Sequence, residues 1–520
     1  MSTFKKMKKA LKPVIILIVV LFIISVFLIG VGNLTGGAKQ SGDTAFIVGK
    51  TKISSTTIST QAQNMYGQIE QQLNGNKSGS SITLSPDLAT SMVVNQQIGQ
   101  ALIQEYAKKN HIRATGRDIN QMYAQYVKQY TQKGLLQALQ SNGMTVAQFK
   151  QQLAQQIIYQ NVQKAMSANY VPSDADINIF YMQSAQSQFN GQSLDQVKGQ
   201  VISALQQYYA PGLLLGYINN AISGGSAVKV VSTQYGPYLT QTALSAGNYS
   251  MSASEFNSNF LQALPYTGGN IALAANMTLK QFTQEVAMIT LAKNSGVQLP
   301  SGMNLQYLAT AAQNGILYNF VSKMNPTDSQ LQAYFTQNHA KYDTPAQSFV
   351  NAIFIPIGKN SSGSAMIQAQ SIQKDIQSGK ISFADAMKKY SKGPQTMLGP
   401  ITNQSPMIPN VGSIPVLAQA ALTLAPNQIS VVTDGNYVYI VQGVKQNPFA
   451  AAVYSTVQAQ VKSDYELGIA QSQLKSALAG VQLPQVTVQN TLTQAMLNGQ
   501  SGLPSYTSGS STTSGTSTSN

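Results

Sequence analysis

"VPSDADINIFYMQSAQSQFN" at residues 171–190 and "NPTDSQLQAYFTQNHAKYDT" at residues 325–344 are two copies of one pattern, 154 residues apart. Each opens with a hydroxyl residue followed three positions on by a side chain able to reach back. Ser173 with Asp176, and Thr327 with Gln330, are capping boxes that start a helix. Each copy then sets apolar residues on one helical face: Ile177, Phe180 and Tyr181 in the first, Leu331, Tyr334 and Phe335 in the second. A third box, Thr145 with Gln148, opens "MTVAQFKQQLAQQIIYQNVQKAM", whose Val146, Phe149, Leu153, Ile157 and Val162 keep largely to one face.

Two further echoes extend the repeat, which therefore reports a duplicated unit rather than a single recurring helix. "VGKTKISSTTI" from Val48 matches "AGNYSMSASEF" from Ala246, each a short strand or turn entering a helix. "SLDQVKGQVISALQQYY" from Ser193 matches "YSTVQAQVKSDYELGIA" from Tyr454, with Val197, Val201 and Leu205 set against Val457, Val461 and Tyr465, 260 residues on. Each long helix precedes a Val-rich strand, "SAVKVV" and "PQVTV". The offset grows from 154 to 260, so roughly residues 346–447 are inserted in the second unit, between its short helix and its long one.

Composition narrows the function. A chain of 520 residues has room for two or three cored domains. Charged side chains are only 9% of it, against about 25% in an ordinary soluble protein, so Gln, Asn, Ser and Thr supply the wet surface. Net charge is +15, but Lys5, Lys6, Lys8, Lys9 and Lys12 contribute five of those charges before the fold begins. The remaining basic residues form no stripe interleaved with aromatics, which leaves nucleic-acid binding unsupported. A Gln-rich, acid-poor exterior would suit an acidic surrounding, and lineage bias in composition accounts for it equally well. With no Cys there are no disulfides and no lipid-modified cysteine anchor.

The N-terminal run "VIILIVVLFIISVFLIGVG", Val14–Gly32, is apolar except for Ser25, and its nineteen residues match a hydrocarbon core about 30 Å thick. Lysines cluster on its N-terminal side only, which predicts a cytoplasmic N-terminus and an exterior bulk. The run is long for a signal peptide, and the expectation is an uncleaved single-pass anchor in the cytoplasmic (inner) membrane.

Several stretches together carry a family resemblance. "IVGKTKIS" entering a helix, then "AKKNHIRATGRDINQMY", then "VPSDADINIFY", resembles the N-terminal module of SurA- and PpiD-type periplasmic chaperones. The inserted segment resembles a parvulin prolyl-isomerase domain. "SFVNAIFIPIG" is similar to its first strand, "AMIQAQSIQKDIQSGKISFADAMKKYSKG" to its first two helices, and "MLGPI" to its glycine turn. "MIPNVGSIPVLAQAALTLAPNQISVV" and "GNYVYIVQGV" are similar to its last helix, loop and strand. The resemblance spans nearly the whole exterior chain and implies an α+β protein: mainly helical, duplicated chaperone modules with a parvulin-like α/β domain inserted and one transmembrane helix in front.

Parvulins pair an apolar proline pocket with a polar cluster that typically includes two histidines and an Asp or Cys. Here Phe354 stands where the first histidine is expected, and Tyr437 or its neighbour where the second is. The usual "GGDLG" turn is shortened to "TMLGP", which keeps Leu398 and Gly399 but no acid. Met407 matches a pocket methionine, and Leu422 replaces the pocket Phe. The resemblance thus implies a degenerate peptide groove of Phe354, Leu398, Met407, Leu422 and Tyr437, with no catalytic residue assignable. The two histidines, His111 and His339, read as surface residues of the helical units. No set of side chains suggests a metal, a cofactor or a nucleophilic triad.

The expected organisation is a basic tail 1–13, an anchor 14–32, a linker 33–44 and a first helical module 45–234. A second module occupies 235–345 and returns at 448–490 around the parvulin-like domain 346–447, with a disordered Ser/Thr/Gly tail over 491–520. The expected function is a membrane-anchored extracytoplasmic chaperone for unfolded secreted or envelope proteins, its isomerase domain weak or inactive. Its partners would be unfolded clients, the membrane through Val14–Gly32, and the secretion channel. An active parvulin isomerase and a non-catalytic envelope scaffold are the alternatives.

Overall fold

A computed structural model describes residues 43–74, 84–240, 242–358, 362–405, 407–409 and 411–500. The expected anchor Val14–Gly32 lies outside the described residues. Among those described, no helix is long and apolar enough to cross a membrane. The described chain is mainly helical with four small antiparallel sheets, an α+β fold.

Strands β1 (Thr44–Val48), β2 (Thr51–Ser54), β3 (Val228–Val230), β4 (Thr242–Ala246) and β5 (Tyr249–Ser252) come first. Next are β6 (Gln347–Pro356), β7 (Leu398–Thr402), β8 (Met407–Ile408) and β9 (Gly412–Ser413). The last are β10 (Ile429–Thr433), β11 (Tyr437–Asn447) and β12 (Val486–Val488).

The two strand-into-helix echoes are hairpins of one design. β1 and β2 turn through Gly49 at φ +57°, and β4 and β5 through Gly247 at φ +58°. A side chain with a Cβ rarely tolerates that left-handed backbone, so both turns keep glycine. In each sheet the first hairpin strand is central and receives the Val-rich strand that follows a long helix. Val48 pairs with Val228 and Phe46 with Val230; Ala246 pairs with Val486 and Leu244 with Val488. Even the bulge is repeated, between Thr44 and Phe46 and between Thr242 and Leu244.

The chain divides into two compact units: one runs up to Met324 and resumes at Leu467, the other is Asn325–Glu466. In the first unit both hairpins enter a common core. Phe46, Ile58, Leu88 and Ile98 from one copy and Leu244, Phe256, Phe260 and Phe282 from the other lie in one buried cluster. Each hairpin has a single apolar face, and sharing a core is how both are covered.

The echo between short and long helices is realised as matched packing. In the first unit Ile177, Phe180 and Tyr181 of helix Asp174–Phe189 meet Val197, Val201 and Leu205 of helix Leu194–Ser223. In the second unit Leu331, Tyr334 and Phe335 of helix Asp328–Asn338 meet Val457, Val461 and Tyr465 of helix Tyr454–Ala479.

Full capping boxes form at Thr145 and Thr327. At Ser173 the hydroxyl caps the Asp176 backbone, but the Asp176 carboxylate does not reach back to the Ser173 N–H. It turns inward instead. Asp176 is 1% exposed, and its Oδ1 accepts from the Tyr209 hydroxyl at 2.7 Å and from Asn314 at 2.9 Å. Burial, followed by the nearby Asp176 charge, drives the Tyr209 hydroxyl far above its usual range, so Tyr209 remains a donor.

The tail expected from residue 491 starts later. Helix Thr491–Leu497 is capped by Asn490 and buries Thr493, Ala495 and Met496, with Met496 in the common core. Leu492 and Met496 are spaced one turn apart and give this segment an apolar face that its Ser/Thr/Gly-rich continuation lacks. Residues 501–520 lie outside the described part.

In the second unit the sheet order is β10-β11-β6-β7, antiparallel throughout. Period-two alternation sorts the side chains of β6 and β11 to its two faces. Ile353, Ile355, Val438 and Ile440 meet helices Ser362–Gln377 and Phe383–Tyr390. Val350, Ala352, Phe354, Tyr439 and Val441 meet helix Pro415–Thr423.

Candidate peptide-binding site

β6 and β11 are neighbours, and their register sets Phe354 opposite Tyr439 and Pro356 opposite Tyr437. Tyr437 and Tyr439 are two residues apart, so their rings share a face with Phe354. The ring centroids of Phe354 and Tyr439 are 5.1 Å apart at 85°, those of Phe354 and Tyr437 6.3 Å apart at 76°. These edge-to-face contacts are favoured by the ring quadrupoles.

The loop after helix Phe383–Tyr390 is tied to the same point of β6. The Phe354 N–H donates to Ser391 Oγ at 3.1 Å, and the Lys392 N–H donates to the Phe354 carbonyl at 2.8 Å. Gly393 lies so close that a Cβ there would sit 2.4 Å from the Phe354 ring. The glycine of "YSKGPQ" is thus the space the Phe354 ring occupies.

One polar pair borders the rings. The Tyr439 hydroxyl donates to Asp434 Oδ2 at 2.8 Å, while Asp434 Oδ1 accepts from the Asn436 and Tyr437 N–H groups at 2.9 and 3.0 Å. Burial acts to raise the Asp434 carboxyl, but these donors outweigh it and hold the group below the usual carboxylate range. Burial and the bond to Asp434 push the Tyr439 hydroxyl upward, so it stays a neutral donor. A charged carboxylate already holding three donors and a phenol that keeps its proton provide no base near neutral pH.

Four of the five residues expected in the groove come together. Phe354 and Leu398 are buried in one cluster, with Leu422 and Tyr437 packed half-buried against it. Met407 is not part of that cluster: it is 47% exposed, and its neighbour Ile408 points inward in its stead. Alternation along the short β8 strand forces that exchange. Tyr439, Asp434 and Gly393 complete the site and were not singled out from sequence, although the alternation in "NYVYIV" already sets Tyr439 beside Tyr437. His339 is exposed, its Nδ1 3.2 Å from Asp343 Oδ2, and His111 is exposed at a left-handed backbone position. A separate open cleft of about 700 Å³ is lined by Gln377, Asn427, Gln428, Ser430 and Gln442, and by none of the five groove residues.

Residues 1–163 match the family model of the SurA-like N-terminal domain. The N-terminal part of this chain is a SurA-like domain. It contains the first hairpin and the helices from Ser55 into Val146–Ala168. The SurA-like chain is also similar to solved structures. One comes from the SurA-like chaperone pair PEB4 and Cj1289 of Campylobacter jejuni, with 14% identity, 58% of this chain and 90% of that chain covered, and a TM-score of 0.24. Another is the foldase PrsA of Streptococcus pneumoniae, with 14% identity, 50% and 98% covered, and a TM-score of 0.23. A third is the peptidylprolyl isomerase PrsA of Bacillus anthracis, with 15% identity, 46% and 94% covered, and a TM-score of 0.18. Superpositions this loose carry no argument here. No curated protein matches the chain.

Proposed function

We propose that this SurA-like protein is a membrane-anchored extracytoplasmic folding chaperone that binds unfolded secreted or envelope polypeptides. Its inserted unit is a prolyl-isomerase architecture with weak or no activity. The anchor is Val14–Gly32, with the N-terminus in the cytoplasm and the bulk outside, near the secretion channel. Tethering raises the local concentration of a modest binder at the site where clients emerge.

The carrying observation is the Phe354–Tyr439 pair. Lowering the roughly 18–20 kcal/mol barrier of a prolyl bond requires groups that favour the twisted amide over both planar forms. Two buried aromatic rings in edge contact, and a phenol committed to Asp434, supply no such polar cluster. What remains is apolar and aromatic surface suited to holding a chain.

The test uses full-length protein in detergent. Near-stoichiometric amounts suppress aggregation of an unfolded client, while a proline-limited refolding reaction proceeds at its uncatalysed rate. Acceleration comparable to a working parvulin would make the protein an isomerase. Failure to suppress aggregation would favour a scaffold. Removal of residues 1–32 releases the protein from membranes; retention after that deletion overturns the anchor.

A further inference from the structure

Helix Ala253–Ala263 packs on helix Ile271–Asn294 in the second repeat, and each brings a glutamate to the contact. Glu285 is 8% exposed; its Oε1 accepts from Gln281 at 2.9 Å and its Oε2 is buried with no hydrogen-bond partner. Asn257 Nδ2, on the partner helix, is likewise buried and unpartnered. Neither glutamate has a salt bridge among the described residues.

The surrounding elements bring no compensating cation. Lys280 and Lys293 of the same helix are exposed, Lys293 lying over the Tyr249 ring. The strand and helices packed against the pair otherwise contribute Tyr249, Tyr266, Tyr307 and Tyr318. On helix Pro86–Lys109, Asp87 accepts from Tyr238, Glu105 is paired with Lys108, and Lys109 is exposed. Helix Thr491–Leu497 and β4 hold no ionisable group.

An ionised carboxylate with a lone buried oxygen is strongly disfavoured, and a second one beside it more so. A proton on that oxygen removes the penalty and supplies the missing donor. We propose that Glu255 and Glu285 form a proton-dependent clasp: protonated, they hold helices Ala253–Ala263 and Ile271–Asn294 shut, and ionisation of both loosens the two helices and the segment that joins them. That joining region presents the exposed apolar side chains Tyr266, Leu273 and Met277, so the clasp governs a stretch of sticky surface. Burial first, and then the Glu285 charge, pushes the Glu255 carboxyl up to about 7. Glu285 is raised by burial and drawn part of the way back by Gln281.

Hydrogen exchange of the full-length protein, corrected for intrinsic rates, tests the clasp. From pH 5 to pH 8, protection in the two helices falls on the order of tenfold to a hundredfold. Glu255→Gln and Glu285→Gln, which imitate the protonated state, keep the pH 5 protection at pH 8. A wild-type profile flat with pH, or a fall that persists unchanged in both variants, overturns the proposal. Infrared titration of the wild type covers the case of a misfolded variant. Protonated carboxyl signal surviving to about pH 7 supports the clasp, and complete ionisation by pH 5 overturns it.

Discussion

Phe354 and Tyr439 face each other across neighbouring strands with their ring centroids 5.1 Å apart, and Tyr439 is further tied to Asp434 at 2.8 Å. The pair replaces a polar cluster with packing, so its removal should be felt as instability rather than as lost chemistry. Phe354→Ala is expected to destabilise the Asn325–Glu466 unit by about 3–5 kcal/mol. Tyr439→Phe keeps the ring and costs only about 1 kcal/mol, since water can reach Asp434. Thermal unfolding of the full-length protein followed by near-ultraviolet circular dichroism reads both.

Gly393→Ala places a methyl 2.4 Å from the Phe354 ring. The expected loss is about 1–3 kcal/mol, and Phe354→Leu in the same chain recovers part of it because the obstructing ring is gone. A double-mutant cycle in denaturant measures the coupling. Additive effects would contradict the contact.

The two copies of the repeated helix should respond differently to loss of the third capping-box residue. Asp176→Ala strands the Tyr209 hydroxyl and Asn314 amide in the core and costs about 2–4 kcal/mol. Gln330→Ala removes an exposed capping contact and costs about 0.5 kcal/mol. Equal losses in chemical denaturation would argue against the divergence seen at Asp176.

Stability should depend on pH through Glu255. Its folded-state carboxyl titrates at about 7, above the ordinary value of 4.5, so the folded protein keeps a proton that the unfolded chain gives up. The favourable linkage is therefore fully present below pH 4.5, declines as pH rises toward 7, and is flat beyond. The full swing is on the order of 3 kcal/mol. Melting temperatures across this range should fall for the wild type and stay nearly level for Glu255→Gln.

Met496→Ala should cost about 2–4 kcal/mol, because the side chain is 2% exposed within the common core. Urea unfolding with and without the substitution checks it. A loss near zero would mean that the segment after Asn490 is dispensable.

Sequence reading reached the architecture because repetition and alternation are local signals. Val197 and Val457, or Ile177 and Leu331, can be aligned by eye, and their packing follows from helical spacing. The groove residues were less legible. Phe354 and Leu398 are inward by strand alternation, yet Met407 and Ile408 differ by one position on a two-residue strand, too short to fix a face. Gly393 gave no sign of its role, because the ring it accommodates is 39 residues away in the chain.

By itself the sequence determined that this protein is a duplicated helical chain with an inserted strand-rich segment, since period, caps and offsets are written in neighbouring residues. The tertiary structure alone decided which polar residues are buried. Asp176 and Gln330 occupy the same step of the repeat, yet one enters a core with Tyr209 and the other faces water. Glu255 and Glu285, thirty residues apart, become a pair only when two helices close on each other. Burial and proximity belong to the packing between elements, and a charge acquires its chemistry from them.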